Sequence, residues 1–169
     1  MLGAMPALLR EVAAALSGPA LRCRPATGGF AFVEHAWHLA DLEREGYGAR
    51  IHRLLAETTP ALPDFDGDRI ARERDYLAGD AGLALEVFAQ ARARNIEGLA
   101  ALDAAALARS GTQEGVGEVT LGRLPQMMAA HDVGHVAELA ALVEELAPAA
   151  PVLSRLRSIA PIAGEPALA

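Results

Sequence analysis

The chain has 169 residues, of which 52% are hydrophobic and only 4% are aromatic. This length is typical of one domain with a buried core, and the many alanines and leucines favour packed helices over sheet. The net charge of -7 argues against a nucleic-acid partner, because phosphate binding needs a basic surface. The single cysteine, Cys23, excludes an intrachain disulfide and a cysteine-rich zinc site.

The sequence predicts a cytoplasmic protein. No stretch reaches about 18 uninterrupted apolar residues, so no membrane span is predicted. Arg10 and Glu11 interrupt the N-terminal segment too early for the apolar region of a signal peptide. All 15 basic residues are arginine, which is typical of a GC-rich bacterial genome.

The first half of the chain predicts two helices. The first covers residues 6–16 and ends at Ser17-Gly18-Pro19, before a loop at 18–29. A long helix follows over residues 30–57. The segment PALPDFDGD, at residues 60–68, contains two prolines and several turn residues, so it predicts a loop.

The second half predicts two more long helices. One runs from about residue 68 to 102, with glycines near residue 80 that bend or split it. Asp103 is a predicted N-cap for a short helix at 104–109, and the glycine-rich segment 110–118 predicts a loop. The last long helix follows Thr120 as N-cap and ends near residue 146, with Pro125 in its first turns.

These elements predict an all-α fold, an antiparallel four-helix bundle with a short extra helix and no sheet beyond incidental bridges. Residues 1–147 form a single domain in this interpretation. Residues 148–169 form a proline-rich C-terminal tail that packs loosely or against a partner subunit.

His131 and His135 are spaced four residues apart in the predicted last helix. Their directions differ by only about 40°, so two imidazoles can reach one metal ion. Two unpaired imidazoles on an apolar stripe lose hydration, which predicts a shared metal ion, hydrogen bonds within the core, or a position at the edge of the core. The stripe on which they lie consists of Leu121, Leu124, Met128, Leu139, Leu142 and Leu146.

His38 lies in the predicted second helix on a polar stripe. Two interpretations remain open, since the stripe is either solvated or lines a wet cavity inside the bundle. In the second case His38 completes a three-histidine site with His131 and His135. Three protein ligands leave positions open for water or substrate, which is typical of catalytic metal sites.

Other polar residues on these helices are candidates for supporting roles. Asp41 and Glu138 are candidate acceptors that hold a histidine ring in one tautomer, with ordinary surface charge as the alternative for each. His35 lies one turn before His38 and is its rival as a ligand. His52 lies roughly 21 Å from His38 along the helix axis, which predicts a surface histidine.

The sequence resembles the DinB-like superfamily over residues 28–146. The resemblance is carried by WHLADLE at 37–43, HDVGHVAEL at 131–139, and the run GTQEGVGEVTLGRLPQMMAAHD at 111–132. It implies a four-helix bundle with a divalent metal held by three histidines, which are His38, His131 and His135 here. The family includes thiol transferases that use bacillithiol or mycothiol and an isomerase that uses mycothiol.

The leading functional hypothesis is a metal-dependent enzyme whose ion activates a water or a thiol for hydrolysis or thiol transfer. The alternatives are a non-catalytic binding or dimerisation module with structural histidines, and a metal-binding sensor. Cys23 lies in an arginine-flanked loop without a matched base, so it is not predicted to be a nucleophile.

All-histidine ligation suits several divalent ions, of which zinc and nickel are favoured, with iron and manganese as alternatives. A thiol cofactor fits the resemblance, but no residue of the chain identifies one. The expected partner is a small-molecule substrate, with no nucleic acid and no membrane. A homodimer is favoured because two-fold dimers are the commonest oligomers.

Overall fold

The computed structural model describes residues 2–62 and 64–160. Its main elements are helices that pack as a bundle, with a small sheet at one side. The long helical stretches are α1 (Met5–Leu16), α2 (Phe32–Asp41), which continues through a π-helical turn (Leu42–Tyr47) into α3 (Gly48–Ala56), α5 (Ala81–Ala100) and α7 (Leu124–Leu146). The shorter helices are α4 (Gly67–Glu73), α6 (Ala104–Leu107) and α8 (Val152–Ile159), and the strands are β1 (Ala61–Leu62), β2 (Ser110–Gln113) and β3 (Gly117–Thr120).

The predicted four-helix bundle is confirmed. α2 packs mainly against α5, whereas α1 packs against both α5 and α7. Asp103 caps α6 as expected, since its carboxylate accepts a hydrogen bond of 2.8 Å from the backbone N–H of Ala106. The predicted third helix is divided, because a 3₁₀ turn at Tyr76–Ala78 separates α4 from α5.

The predicted second helix is interrupted by the π turn at Leu42–Tyr47. In this turn the backbone N–H of Gly48 donates to the carbonyl of Glu43, five residues earlier. The side-chain amide of Asn95, on α5, donates to the same carbonyl at 2.9 Å. Such turns insert one extra residue into a helix, and neither hydrophobic periodicity nor glycine content predicted this one.

The expectation of no sheet beyond incidental bridges was wrong, since the bundle carries a small three-stranded sheet. β2 and β3 form an antiparallel hairpin where the sequence predicted a loop, and β1 pairs parallel with β2. The glycines that indicated a loop serve the hairpin instead, because Gly115 and Gly117 have φ of 74° and 92°. Thr120 ends β3 and is not the cap of α7, which begins at Leu124 after a 3₁₀ turn.

The expectation of a loosely packed tail is wrong for residues 152–159. These residues form α8, which packs against α7 and α1. Val152, Leu153 and Leu156 are buried in the main core. Residues 161–169 of the predicted tail lie outside the described residues. The division of the chain after residue 147 stays a prediction.

Two apolar clusters fill the described interior. The larger joins α1, the first part of α2, the first part of α5, the second part of α7, and α8. The smaller joins the π turn, α3, the sheet and the first part of α7. Between them lies a layer of polar side chains, all of them buried or nearly so, that includes His38, Glu43, Arg92, Asp132 and His135.

Arg92 occupies the centre of this polar layer with only 2% of its surface exposed. Its guanidinium donates to Glu43 at 2.9 Å and to both carboxylate oxygens of Asp132 at 2.7 and 2.9 Å. α5 is thereby joined to the π turn and to α7. Burial raises the pKa of Glu43, against the opposing effect of the Arg92 charge.

Replacing Arg92 with methionine should destabilise the protein by about 3–5 kcal/mol, because two buried carboxylates then lack their cation. Urea unfolding at pH 7 measures this loss. The matched control is Arg94→Met on the exposed face of the same helix, which should leave the free energy of unfolding almost unchanged. An equal loss in both variants would contradict the assigned role of Arg92.

Candidate metal centre

The polar stripe of α2 lies in the interior of the bundle. Glu34, His35 and Asp41 are each 2% exposed, and His38 is 8% exposed. α2 is covered by α5, α4 and α7, so both its apolar and its polar faces are buried. Of the two interpretations that the sequence left open, the solvated stripe is therefore excluded.

Three histidines converge between α2 and α7. His38 Nε2 lies 3.3 Å from His131 Nε2, which lies 3.3 Å from His135 Nε2. The four-residue spacing brings the second pair together, as predicted from the helical period. His135 is buried and His131 is half-buried, in line with their positions on the apolar stripe of α7.

The separations between these nitrogens fit a metal ion. Two ligand nitrogens at 2.0–2.1 Å from one tetrahedral ion lie about 3.3–3.4 Å apart. One ligand atom from each of the three rings lies within 4.8 Å of the others. The donor set therefore matches a small divalent cation that accepts three imidazoles.

If His135 Nδ1 carries the proton of that ring, a shared ion accounts for the contacts among the three rings better than hydrogen bonds alone. The Nδ1 atom of His135 lies 3.1 Å from the carboxylate of Glu138, which is the geometry of an N–H donor to an acceptor. This tautomer leaves a lone pair on His135 Nε2. His131 Nε2 would have to serve both neighbouring rings with one proton, whereas an ion uses all three lone pairs at once.

His38 and His131 are uncharged at neutral pH, as metal binding requires. Burial, together with the charges that His135 and His38 would carry, lowers the pKa of His131 to about 3. Burial and the charge that His135 would carry lower the pKa of His38 to about 4. Glu138 behaves as the predicted acceptor, and the hydrogen bond from His135 lowers the pKa of its carboxyl group.

The His38 ring is held by close packing and not by the predicted acceptor Asp41. Asp41 Oδ2 instead accepts hydrogen bonds of 2.5 Å from Arg74 and 2.6 Å from the Tyr76 hydroxyl. His38 Nδ1 is buried and has no hydrogen-bond partner among the described residues. A Cβ atom at Gly67 would lie 2.4 Å from His38 Cε1, so α4 can approach the ring only because residue 67 is glycine.

His35 is adjacent to the site but does not join the three converging Nε2 atoms. Its Nδ1 lies 3.0 Å from His135 Nδ1 and 3.7 Å from the Glu138 carboxylate. His35, His135 and Glu138 thus form a second group with metal-ligand spacing that sequence reasoning missed. The sequence signal that could have indicated this second group is the three-residue spacing between His35 and His38, which places both side chains on one face of a helix. His52 is exposed, as predicted.

Two cavities open on the histidines. The first has a volume of about 380 Å³ and is lined by His35, His38, His135, Glu138 and the glycine-containing segment 27–30. The second has a volume of about 350 Å³ and is lined by His38, His131 and residues from α3, α7 and the sheet. His38 lines both cavities, so an ion on these rings would be accessible from two sides.

The fold and this site define a class of protein: a helical bundle in which two helices bring three histidines to one point beside two cavities. Each helix within residues 2–62 and 64–160 is too short or too polar to span a lipid bilayer.

A family model described as the DinB superfamily matches residues 1–139, and the chain belongs to that superfamily. The fold is similar to that of YfiT from Bacillus subtilis, described as a probable metal-dependent hydrolase with an unusual four-helix bundle topology. The two chains are 22% identical, the TM-score is 0.77, and the match covers 85% of this chain and 82% of YfiT. No curated protein matches the chain.

Gly67→Ala should displace the His38 ring, because the new methyl group would overlap it. We expect zinc affinity to fall by tenfold or more, on the order of the loss seen when a ligand's supporting contacts are removed. Calorimetric zinc titration and the ¹⁵N shifts of the His38 ring measure the effect. The control is Gly98→Ala in α5, where the methyl group would meet no atom within 4 Å and zinc binding should not change. Zinc binding by Gly67→Ala as tight as in the wild type would contradict this role.

The metal-free protein should lose stability as the pH falls from about 6.5 towards 4. Histidines of the unfolded chain take up protons near pH 6.5, whereas His38 and His131 have pKa values of about 4 and 3 in the folded state. Their contribution is therefore complete above pH 6.5 and is lost on acidification. Urea unfolding across this range, compared with the His131→Leu/His135→Leu variant, measures it. The prediction would be refuted if the free energy of unfolding depended on pH in the same way in the variant as in the wild type.

Proposed function

We propose that this protein is a divalent-metal-dependent enzyme in which His38, His131 and His135 hold the ion. The single observation that carries the proposal is the convergence of three Nε2 atoms from two helices, with both contacts at 3.3 Å. Three protein ligands leave further positions for water or substrate. The description of YfiT as a probable metal-dependent hydrolase supports the same chemistry.

The ion supplies Lewis acidity, which lowers the pKa of a water or thiol bound to it towards neutrality. The chain's own residues prepare the site for this chemistry. Glu138 accepts the Nδ1 proton of His135 and so directs the Nε2 lone pair of that ring towards the ion. Gly67 allows the His38 ring to reach the same point.

The nucleophile comes from outside the chain in this proposal. Cys23 is exposed and does not line either cavity beside the histidines. An external water leads to hydrolysis, and an external thiol leads to thiol transfer. Zinc and nickel are the ions that we favour, with iron and manganese as alternatives, because imidazole ligands suit zinc, nickel and iron better than they suit calcium or magnesium.

Two non-catalytic functions are the alternatives, a binding or dimerisation module and a metal sensor. The two cavities of about 380 and 350 Å³ favour the enzyme, because a purely structural metal site is closed and does not need access for other molecules. Panels of hydrolase substrates and of thiols with electrophilic acceptors separate the enzyme from the sensor. Turnover in neither panel by the metal-loaded protein would favour the sensor.

We also propose a small-molecule substrate, a cytoplasmic location and a homodimer, with no nucleic-acid or membrane partner. The net charge of -7 supports the first of these over a nucleic acid. Light scattering of the purified protein tests the dimer.

His38→Ala should abolish tight zinc binding, whereas His35→Ala should retain it, because His35 contacts the Nδ1 side of the His135 ring and is not one of the three converging Nε2 ligands. Elemental analysis and the rise in melting temperature on adding zinc measure both effects. The His131→Leu/His135→Leu variant is the metal-free reference, and it should stay folded because leucine suits the apolar stripe of α7. Loss of tight zinc binding in His35→Ala together with its retention in His38→Ala would contradict the proposed ligand set. A wild-type protein that neither contains metal nor gains stability from zinc, nickel or manganese would overturn the proposed function.

A further inference from the structure

The Nδ1 side of the His135 ring faces a second set of ligand atoms. His135 and Glu138 lie three residues apart on α7, so their side chains share one face of that helix. From α2, His35 places its Nδ1 atom 3.0 Å from His135 Nδ1 and 3.7 Å from a carboxylate oxygen of Glu138. The same oxygen lies 3.1 Å from His135 Nδ1. Two ring nitrogens and one carboxylate oxygen therefore form a triangle across the two helices.

This triangle has the dimensions of a metal site. Ligand atoms at 2.0–2.2 Å from one tetrahedral ion lie about 3.3–3.6 Å apart, and the three observed separations bracket that range. Two histidines and one glutamate are also a donor set of catalytic zinc sites, in which the fourth position stays open. The geometry and the donor set therefore both suit a small divalent ion.

The cavity of about 380 Å³ beside these atoms favours a cation. Asp68 and Glu138 line it, and no arginine is among its described lining residues. The Glu138 side chain is 61% exposed, and within the described parts of the chain its ionic contacts are with the two histidine rings. A cavity with carboxylates and imidazoles in its wall attracts a divalent ion and gives it access from solvent.

We propose that His35, His135 and Glu138 bind a second divalent transition ion, so that the His135 ring bridges two ions through its two nitrogens. The inference rests on the proposed function for the first ion, at Nε2, and adds a second ion at Nδ1. As the second ion binds, the Nδ1 proton of His135 leaves to the solvent, and no electron is transferred. The second ion binds more weakly than the first, because it displaces this proton, lies across one ring from another cation, and takes its carboxylate from an exposed side chain.

Calorimetric zinc titration of the metal-free, full-length protein counts the sites. We expect two zinc ions per chain, one tight and one weaker. Glu138→Gln should keep the tight ion, because the amide oxygen still accepts the Nδ1 proton of His135. The second ion should weaken by on the order of tenfold or more, since losing a ligand costs at least as much as losing a ligand's supporting contact. His35→Ala should have the same effect, and Glu138→Gln should fold even if His35→Ala does not, because the Glu138 side chain is largely exposed.

The matched control is Glu144→Gln, farther along α7, because Glu144 pairs with Arg157 on the surface and lines neither cavity beside the histidines. This variant should bind both zinc ions as the wild type does. Two further variants test whether the His135 ring is shared. His131→Leu should lose the tight ion and keep the weaker one, whereas His131→Leu/His135→Leu should lose both.

A wild-type protein that binds a single zinc ion would overturn the proposal. A second ion that survives both His35→Ala and Glu138→Gln would overturn it as well, since that ion would be adventitious. The same titrations distinguish this failure from failure of the proposed function. A single tight ion that His131→Leu abolishes defeats only the second site, whereas a tight ion that His131→Leu retains defeats the proposed three-histidine site. A wild-type protein that binds no zinc defeats both.

Discussion

The buried contact of Arg92 with Glu43 and Asp132 determines how the two site helices meet. Asp132 is the residue after His131, and Glu43 lies five residues after His38 in the adjoining π turn. One guanidinium on α5 therefore fixes α7 and the α2–π stretch relative to each other, with hydrogen bonds of 2.7–2.9 Å. Because these hydrogen bonds are directional, they fix the axial position of one helix relative to the other more strictly than apolar packing does.

The histidine rings benefit from this constraint. They lie in the same polar layer, between two apolar clusters that would tolerate small sliding movements of the helices. A displacement of about 1 Å would separate nitrogens that would all have to lie near 2 Å from one ion in the proposed metal site. Burial also keeps the His38 and His131 rings uncharged, so that their lone pairs are available without prior loss of a proton.

The parts of this structure that periodic patterns determine could be predicted from the sequence. The 3.6-residue period placed His131 and His135 on one face, and the order of motifs identified His38 as the third residue of the group. Contacts between distant segments could not be read in this way. Asp41 pairs with Arg74 and Tyr76, which lie more than thirty residues away, and His35 meets His135 across the bundle.

The missed elements have a similar explanation. The hairpin at residues 110–120 contains glycines that are equally common in loops, and its first strand is completed by pairing with the distant β1. α8 follows two prolines, but its stability derives from Val152, Leu153 and Leu156 packing into the core of other helices. Local composition contains no information about such partners, so propensity and periodicity alone could not find them.

The π turn between α2 and α3 has a consequence for the rotational phase of the helix that follows it. In an uninterrupted α-helix, Arg50 would point about 120° away from His38, since twelve residues separate them at about 100° each. One extra residue in the turn rotates α3 by about 100° about the helix axis relative to an uninterrupted helix. This rotation brings Arg50 to within roughly 20° of the direction of His38. The same shift turns His52 away from His38, in agreement with its exposure. Arg50 and His38 therefore line one cavity because of a single inserted residue. A one-residue deletion in this turn would rotate Arg50 away from His38, and so change the chemistry of the cavity without altering any residue that lines it.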